Sequence, residues 1–257
     1  MVRNLLLFLL GLFLCSSAHG QNVAYVSGTG GEPWGMPGNL NTLDDVFGIG
    51  NWDRLDFPTA VGGGLFGYST IFIDGGNGSD TEFVSFVENN RASLENWVSG
   101  GGRLLINAAR WGAAPNLLDL GFGITLDSNG AAATGVAANG AHAIYNGPWG
   151  ATGVNFDGDF LSHDRVFGAG LIPLMYGDND PGRVILGEKA YGSGWVVAGG
   201  LTLPFFGEHI FWSANSGDFH RNLFYYVHNV QAIPEPASFF ILLMGAGAMA
   251  IARRRCG

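Results

Sequence analysis

Apolar residues recur along this chain in short blocks, and the spacing within each block predicts a strand or a helix. Runs of continuous or alternating apolar residues predict strands. They cover residues 22–27, 52–57, 70–74, 103–107, 183–187 and 194–200. Between residues 110 and 165 no period is regular enough to assign.

The strongest helical pattern lies between two of these strands. Four apolar residues from Phe83 to Val98 fall on one face of a helix that covers residues 80–99. Ser79 and Glu82 have the spacing of a capping box at its start. Because a strand, a helix and a strand follow one another over residues 70–107, we expect a βαβ unit with parallel strands. Weaker patterns predict helices near 42–47 and over 217–230.

The first 20 residues have the pattern of a cleaved secretory signal. Arg3 precedes an apolar run over residues 5–14, and Ala18 and Gly20 place small residues at positions −3 and −1 of a cleavage site. We therefore expect a signal peptide over residues 1–20, export through the Sec machinery and a mature chain that begins at Gln21.

The last 25 residues combine a short polar motif, an apolar run over residues 239–252 and a basic end. The motif is Pro234, Glu235 and Pro236, and the basic end is Arg253, Arg254 and Arg255. The run predicts a transmembrane helix whose basic end stays in the cytoplasm, by the positive-inside rule. In order and spacing, these parts resemble the PEP-CTERM sorting signal of Gram-negative bacteria.

This resemblance implies where the protein goes. An exosortase recognises the motif and removes the tail over residues 233–257, so the protein is anchored in the inner membrane only transiently and ends at the cell surface or outside the cell. Because such systems resemble matrix-export systems, it also implies a structural or adhesive role in a biofilm matrix, with exopolysaccharide as a partner.

Charge narrows the partners of the exported domain, residues 21–232. It contains 8 of the 12 basic residues and 20 of the 21 acidic ones, for a net charge of −12. Nucleic acids and anionic membrane surfaces need a basic patch, so both are excluded as partners. Cys15 and Cys256 lie in the two end segments, so this domain has no disulfide and no cysteine nucleophile.

Within this domain, the order of elements is similar to that of the class I glutamine-amidotransferase-like superfamily. Residues 71–75 with 97–106, residues 142–148 and residues 187–197 contribute to the resemblance. The resemblance implies an α/β fold of the flavodoxin-like kind, a three-layer sandwich with a mainly parallel sheet.

One stretch departs from that superfamily. Its enzymes have a cysteine on the turn after the strand equivalent to 103–107, whereas this turn, residues 107–112, has no cysteine, serine or threonine. Nucleophilic catalysis needs an activated nucleophile beside a base. We therefore expect no glutamine hydrolysis and an exported domain that is not an enzyme.

Three polar residues on predicted loops are candidates for a ligand site. They are Asp74, His142 and Asp178. If they converge at the ends of the strands, the alternative to a structural role is a secreted hydrolase or a calcium- or glycan-binding module.

Two further groups of residues leave alternatives open. The acidic loops 157–164 and 178–180 offer the oxygen ligands that calcium prefers, but neither has the spacing of a calcium loop. We expect no cofactor, with calcium as the open alternative. Tryptophans on loops, such as Trp34 and Trp111, either pack in the protein or stack on sugar rings, and packing is the commoner use.

Overall fold

The structure, a computed structural model, describes residues 23–62, 64–112, 114–206 and 215–230. The predicted signal peptide, transmembrane run and sorting motif lie outside these residues. Within them, no helix is both long and apolar enough to cross a membrane.

Strands account for most of the regular structure. They are β1 Val23–Ser27, β2 Trp52–Asp56, β3 Thr70–Asp74, β4 Arg103–Asn107, β5 Leu117–Gly121, β6 Ile124–Asp127, β7 Ala132–Ala137, β8 Asn146–Gly147, β9 Gly150–Ala151, β10 Asn155–Ser162, β11 Arg165–Gly168, β12 Ile172–Gly177, β13 Val184–Tyr191 and β14 Gly194–Gly199. The α-helices are α1 Gly38–Phe47, α2 Asp80–Ser99 and α3 Ser216–Asn229. Single turns of 3₁₀ helix cover Pro33–Gly35, Leu65–Gly67, Ala143–Tyr145 and Leu203–Phe205.

Nine strands form one mixed sheet in the order β10-β7-β12-β13-β14-β4-β3-β1-β2. Neighbours from β14 to β2 are parallel. Neighbours from β10 to β14 are antiparallel. Among the described residues, β11, β6 and β5 form a separate antiparallel sheet and β8 pairs with β9.

The central sheet is buried on both faces, which explains its continuous apolar strands. In β1, Val23 and Tyr25 point into the core shared with α1 and α3. Ala24 and Val26 point into the opposite core, shared with α2 and the small sheet. Successive side chains alternate between the faces of a strand, so one strand serves both cores.

The predicted βαβ unit is confirmed. Strands β3 and β4 are parallel, with Asp74 paired to Asn107, and α2 covers residues 80–99 between them. The predicted capping box is wrong, because Ser79 makes no side-chain capping bond. Glu82 instead accepts a hydrogen bond from the Thr29 amide at 2.9 Å, since the loop after β1 lies beside the start of α2.

The predicted flavodoxin-like three-layer sandwich with a mainly parallel sheet is wrong. Four strands continue the sheet in antiparallel order past β14. The region from 110 to 165, which has no assignable period, forms strands rather than crossover helices. The small sheet of β5, β6 and β11 therefore covers part of one face, where the predicted fold has only helices.

Candidate functional site

The carboxyl ends of β1, β3, β4 and β14 meet at one edge of the sheet, where ligands of parallel α/β sheets commonly bind. The connection from β10 to β11 joins this edge, because the His163 amide donates to the Gly200 carbonyl at 3.0 Å. Five loops thus contribute side chains to one region.

An aromatic cluster lies on these loops and on the end of β10, and we define it as Trp34, Trp111, Phe160 and His163. The His163 ring is stacked between Trp34, at 5.0 Å, and Phe160, at 5.6 Å. Trp111 meets the His163 ring edge-on at 4.6 Å. Trp111 is 55% exposed and Phe160 is 49% exposed, so two rings of a packed cluster face solvent.

A buried ion pair fixes two of the loops that hold the cluster. The Arg110 guanidinium donates to Asp164 Oδ1 from Nε at 3.0 Å and from NH2 at 2.7 Å, and both side chains are fully buried. The Arg110 amide also donates to Asp164 Oδ2 at 2.7 Å. Because Arg110 precedes Trp111 and Asp164 follows His163, this pair sets where both rings lie.

His163 is a neutral imidazole near physiological pH. Burial against the neighbouring rings lowers its pKa to about 4. A neutral ring stacks on indole without carrying a charge into an apolar cluster. His163 is therefore suited to packing and to hydrogen bonding rather than to binding an anion.

Behind the cluster lies a chain of buried polar side chains. Tyr25 donates to Glu32 Oε2 at 2.6 Å, and Asn39 Nδ2 donates to the Tyr25 hydroxyl at 3.0 Å and to Asp74 Oδ2 at 2.8 Å. The Gly76 amide donates to Asp74 Oδ1 at 2.9 Å. Two carboxyl groups are thus joined through a tyrosine and an amide.

Asp74 is 2% exposed, and this burial changes the pKa of its carboxyl group. Burial raises the pKa of Asp74 to about 7, although hydrogen bonds from Asn39 and Gly76 lower it. The charge of Glu32 adds to the rise. Near neutral pH this carboxyl group therefore exists in both protonation states, as a general acid or base requires.

Trp34 connects the aromatic cluster to the polar chain, and its backbone is unusual. Its φ of 62° lies in the left-handed region, which costs a non-glycine residue about 1 kcal/mol. The Trp34 amide donates to the Asn77 carbonyl at 2.8 Å, which ties the loop after β1 to the loop after β3. Such strain is commonest at functional sites.

The structure does not bring the three predicted ligand residues together. Only Asp74 belongs to the site just described. Asp178 follows β12, four strand positions from β3, or about 19 Å across the sheet. His142 lies against α3, with Nε2 3.3 Å from Glu188 Oε1 and its ring 4.8 Å from Tyr226.

The acidic loops engage protein partners. Asp164 pairs with Arg110, and Asp178 pairs with Arg183 and accepts from the Thr134 amide at 3.0 Å. Within the described part of the chain, no three His, Cys, Asp or Glu side chains are grouped as metal ligands.

Sequence reasoning missed most of this site. In the sequence, Trp34 and Trp111 are two of several loop tryptophans, and residues 107–112 stand out only because they contain no nucleophile. A usable signal is the position of Arg110 and Trp111 within four residues of the end of a buried strand, β4. Nothing local in the sequence pairs Arg110 with Asp164, which lies 54 residues later.

Comparison with known families concerns the tail. Residues 232–255 match the PEP-CTERM protein-sorting motif. This protein is exported and is an exosortase substrate. The motif directs it to the cell surface or the extracellular space, which confirms the resemblance seen in the sequence.

No curated protein matches the chain. Similar solved structures include a β-galactosidase from Bacillus circulans sp. alkalophilus, at 12% identity and TM-score 0.48, covering 86% of this chain and 33% of that one. A β-galactosidase from Rahnella sp. R3 has 13% identity and a TM-score of 0.45, and the match covers 82% of this chain and 32% of that one. The exo-β-1,4-mannosidase Op5Man5 from Opitutaceae bacterium strain TAV5 has 15% identity and a TM-score of 0.42, and the match covers 82% of this chain and 36% of that one. The chain spans about a third of the length of these proteins, and likenesses this distant assign it no activity.

Two predictions change with these findings. The prediction that the exported domain is not an enzyme is withdrawn: it depended on one missing cysteine, which excludes a single mechanism, and the similar solved structures are β-galactosidases and an exo-β-1,4-mannosidase. The resemblance to the glutamine-amidotransferase-like superfamily is not confirmed by any comparison.

Proposed function

We propose that the exported domain binds a neutral glycan at the aromatic cluster. The observation that carries this proposal is the pair of solvent-facing rings, Trp111 and Phe160, packed on His163 at the carboxyl edge of the parallel strands. Exposed aromatic patches on a soluble protein commonly mark binding surfaces. The flat face of an indole matches the C–H face of a pyranose ring.

Rigidity supports the same proposal. The buried Arg110–Asp164 pair holds the two loops that carry Trp111 and His163. A ring that is already fixed loses little conformational entropy when a ligand stacks on it, so more of the contact energy contributes to affinity.

Charge supports a neutral glycan over an acidic one. The exported domain has a net charge of −12, and Asp74 and Glu32 lie behind the cluster. A uronate or sulfated polysaccharide would approach like charge. Sorting to the cell surface also supports the proposal, since neutral polysaccharides are found there.

Affinity measurements on the purified exported protein test this function. Cellohexaose, laminarihexaose and maltohexaose serve as neutral probes, and an oligogalacturonate serves as the acidic one. We expect binding to at least one neutral probe, and Trp111→Ala to weaken it about fivefold, since a stacked ring contributes about 1 kcal/mol.

Phe167→Ala is the matched control, because Phe167 is a 45% exposed aromatic on β11, outside the cluster. It should bind like the wild type. Absence of neutral-glycan binding by the wild type, or equal binding by Trp111→Ala, would overturn the proposal.

A second candidate function is hydrolysis of a glycosidic bond, and one observation favours it. Asp74 has a pKa of about 7 and is linked through Asn39 and Tyr25 to Glu32, a second carboxyl group. Glycosidases use such a pair, with one carboxyl group protonated. Release of p-nitrophenol from p-nitrophenyl hexosides by the wild type, lost in Asp74→Asn, would support it, and no release by the wild type would remove it.

A further inference from the structure

A groove of about 430 Å³ lies between α3 and residues 143–148. Tyrosine rings and asparagine amides form most of its lining, and none of the described residues that line it is charged at neutral pH. The groove is open to solvent, since Tyr225 on its α3 wall is 39% exposed. Its volume lies in the range of ligand sites in proteins, so a partner of matching chemistry can enter.

A buried carboxylate behind the groove holds both of its walls. Glu188 is 5% exposed and accepts from the Tyr226 hydroxyl of α3 at 2.7 Å and from Trp195 Nε1 at 3.1 Å. On the other wall, His142 caps the 3₁₀ turn, and its Nε2 lies 3.3 Å from the second oxygen of Glu188. The groove is therefore formed before anything binds, which lowers the entropy cost of binding.

The chain leaves α3 at the end of this groove. Val230, where this described stretch ends, lines the groove with φ of −60° and ψ of 132°, close to polyproline II values. Its carbonyl accepts from Arg103 Nε at 2.7 Å and its amide donates to the Tyr226 carbonyl at 2.7 Å, so the exit point is fixed. Two residues separate Val230 from Ile233, which directly precedes the sorting motif.

We propose that this groove binds residues 233–236 of the same chain before the tail is removed. These residues are Ile233 and the sorting motif itself. A motif bound to the folded domain is less accessible to the exosortase, so the domain slows its own processing. This inference is independent of the proposed glycan-binding function, because it concerns a different surface and a different partner.

The chemistry of the segment matches that of the groove. Two of its four residues are prolines, which favour polyproline II, and Pro-rich segments bind to aromatic-lined grooves because they are already extended. Polyproline II has three residues per turn, so Ile233 and Pro236 share one face. That apolar face suits a lining of tyrosines, Pro148 and uncharged amides, and Glu235 lies on another face of the helix.

The lengths also agree. From Asn222 to Asn229, the α3 wall of the groove spans about 10 Å, at 1.5 Å per residue. Residues 233–236 in polyproline II span about 9 Å, at 3.1 Å per residue. The two residues after Val230 are enough for the chain to reverse along the groove, because a β-turn has two central residues.

Thiol labelling of the uncleaved protein tests the inference. The exported domain has no cysteine, so Ile233→Cys with Cys256→Ser leaves one thiol once the signal peptide is removed. Cysteine is itself a small apolar residue and is compatible with the groove. The protein is purified in detergent from a host without exosortase, and the rate of maleimide labelling at position 233 is measured.

Two groove variants and one control are compared in this background. Tyr225→Ala removes one aromatic side chain of the groove, and Ala143→Leu adds bulk from the opposite wall, where Ala143 is exposed. Phe167→Ala is the control, because Phe167 is a 45% exposed aromatic on β11, outside the groove. Circular dichroism checks that all three variants keep the native fold.

We expect Tyr225→Ala and Ala143→Leu each to speed labelling about fivefold, which corresponds to about 1 kcal/mol of lost contact, and Phe167→Ala to leave the rate unchanged. In the native host, pulse–chase should show faster tail removal for Tyr225→Ala than for the wild type or Phe167→Ala. Equal labelling rates in all the proteins would overturn the binding of the segment to the groove. Faster labelling with unchanged tail removal would overturn its effect on processing.

Discussion

At the scale of single residues, Asp74 and Asp164 are two buried carboxyl groups with different partners. Asp164 faces the Arg110 guanidinium, whereas Asp74 faces the amides of Asn39 and Gly76. Burial raises the pKa of both, to about 6 for Asp164 and about 7 for Asp74. The carboxyl group that lacks a cationic partner has the higher pKa.

The raised pKa of Asp74 predicts that the native state binds a proton which the unfolded chain releases above about pH 4. The contribution of Asp74 to the free energy of unfolding is therefore full below pH 4 and is lost as pH rises to about 7. Urea denaturation measures the free energy of unfolding of the wild type and of Asp74→Asn. The wild-type value minus the variant value should fall by up to about 1.4 kcal/mol per pH unit across this range.

The side-chain amide introduced by Asp74→Asn offers one acceptor oxygen instead of two, so the variant also loses a bond from Gly76 or Asn39. That loss does not depend on pH, so it changes the difference in free energy of unfolding by the same amount at every pH. A difference between wild type and Asp74→Asn that stays flat from pH 4 to pH 7 would contradict the prediction.

The sequence alone led to Asp74 because a carboxylate directly after a buried strand is a local feature. It could not show that Asp178 lies four strands away, because strand order depends on long-range pairing. His142 was misplaced for the same reason: its partners, Glu188 and Tyr226, are far along the chain. The cluster around His163 likewise joins residues that are far apart along the chain.

At the scale of elements, local signals sufficed for the βαβ unit and failed for the middle of the chain. The apolar face of α2 and the β-branched run of β3 are both readable within one segment. Strands β7 and β10, by contrast, are short of apolar residues, and their register shifts between Asp157 and Ser162. Pairing with neighbouring strands stabilises them, and their sequences have no apolar period that would predict a strand.

The start of α2 also holds the loop after β1. Glu82 accepts from the Thr29 amide at 2.9 Å and from the Thr29 hydroxyl. We predict that Glu82→Ala lowers the free energy of unfolding by about 1 kcal/mol, a modest value because the contact is exposed. Hydrogen exchange at the Thr29 amide should become faster in the same variant.

Glu88→Ala is the control, because Glu88 lies on the same helix and is exposed. It should leave exchange at Thr29 unchanged. If both variants protect Thr29 as well as the wild type does, Glu82 does not hold this loop.

At the scale of the whole molecule, the chain leaves the described domain on the side opposite the aromatic cluster. Arg103 begins β4, and its Nε donates to the Val230 carbonyl at 2.7 Å. Trp111 follows the other end of the same strand. Because the sorting motif begins just after Val230, a domain held by its tail would present the cluster away from the point of attachment.

The tail itself supplies the last prediction. The apolar run over residues 239–252 is shorter than the roughly 20 residues of a comfortable membrane span and includes Gly245 and Gly247, which suits a temporary anchor. We expect the native host to remove the segment after the Pro234–Pro236 motif. Intact-mass spectrometry of protein from the cell surface should find a chain without it, and a variant with alanine at positions 234, 235 and 236 should keep it. Surface protein that still ends in Arg253 to Gly257 would show that the motif does not direct cleavage.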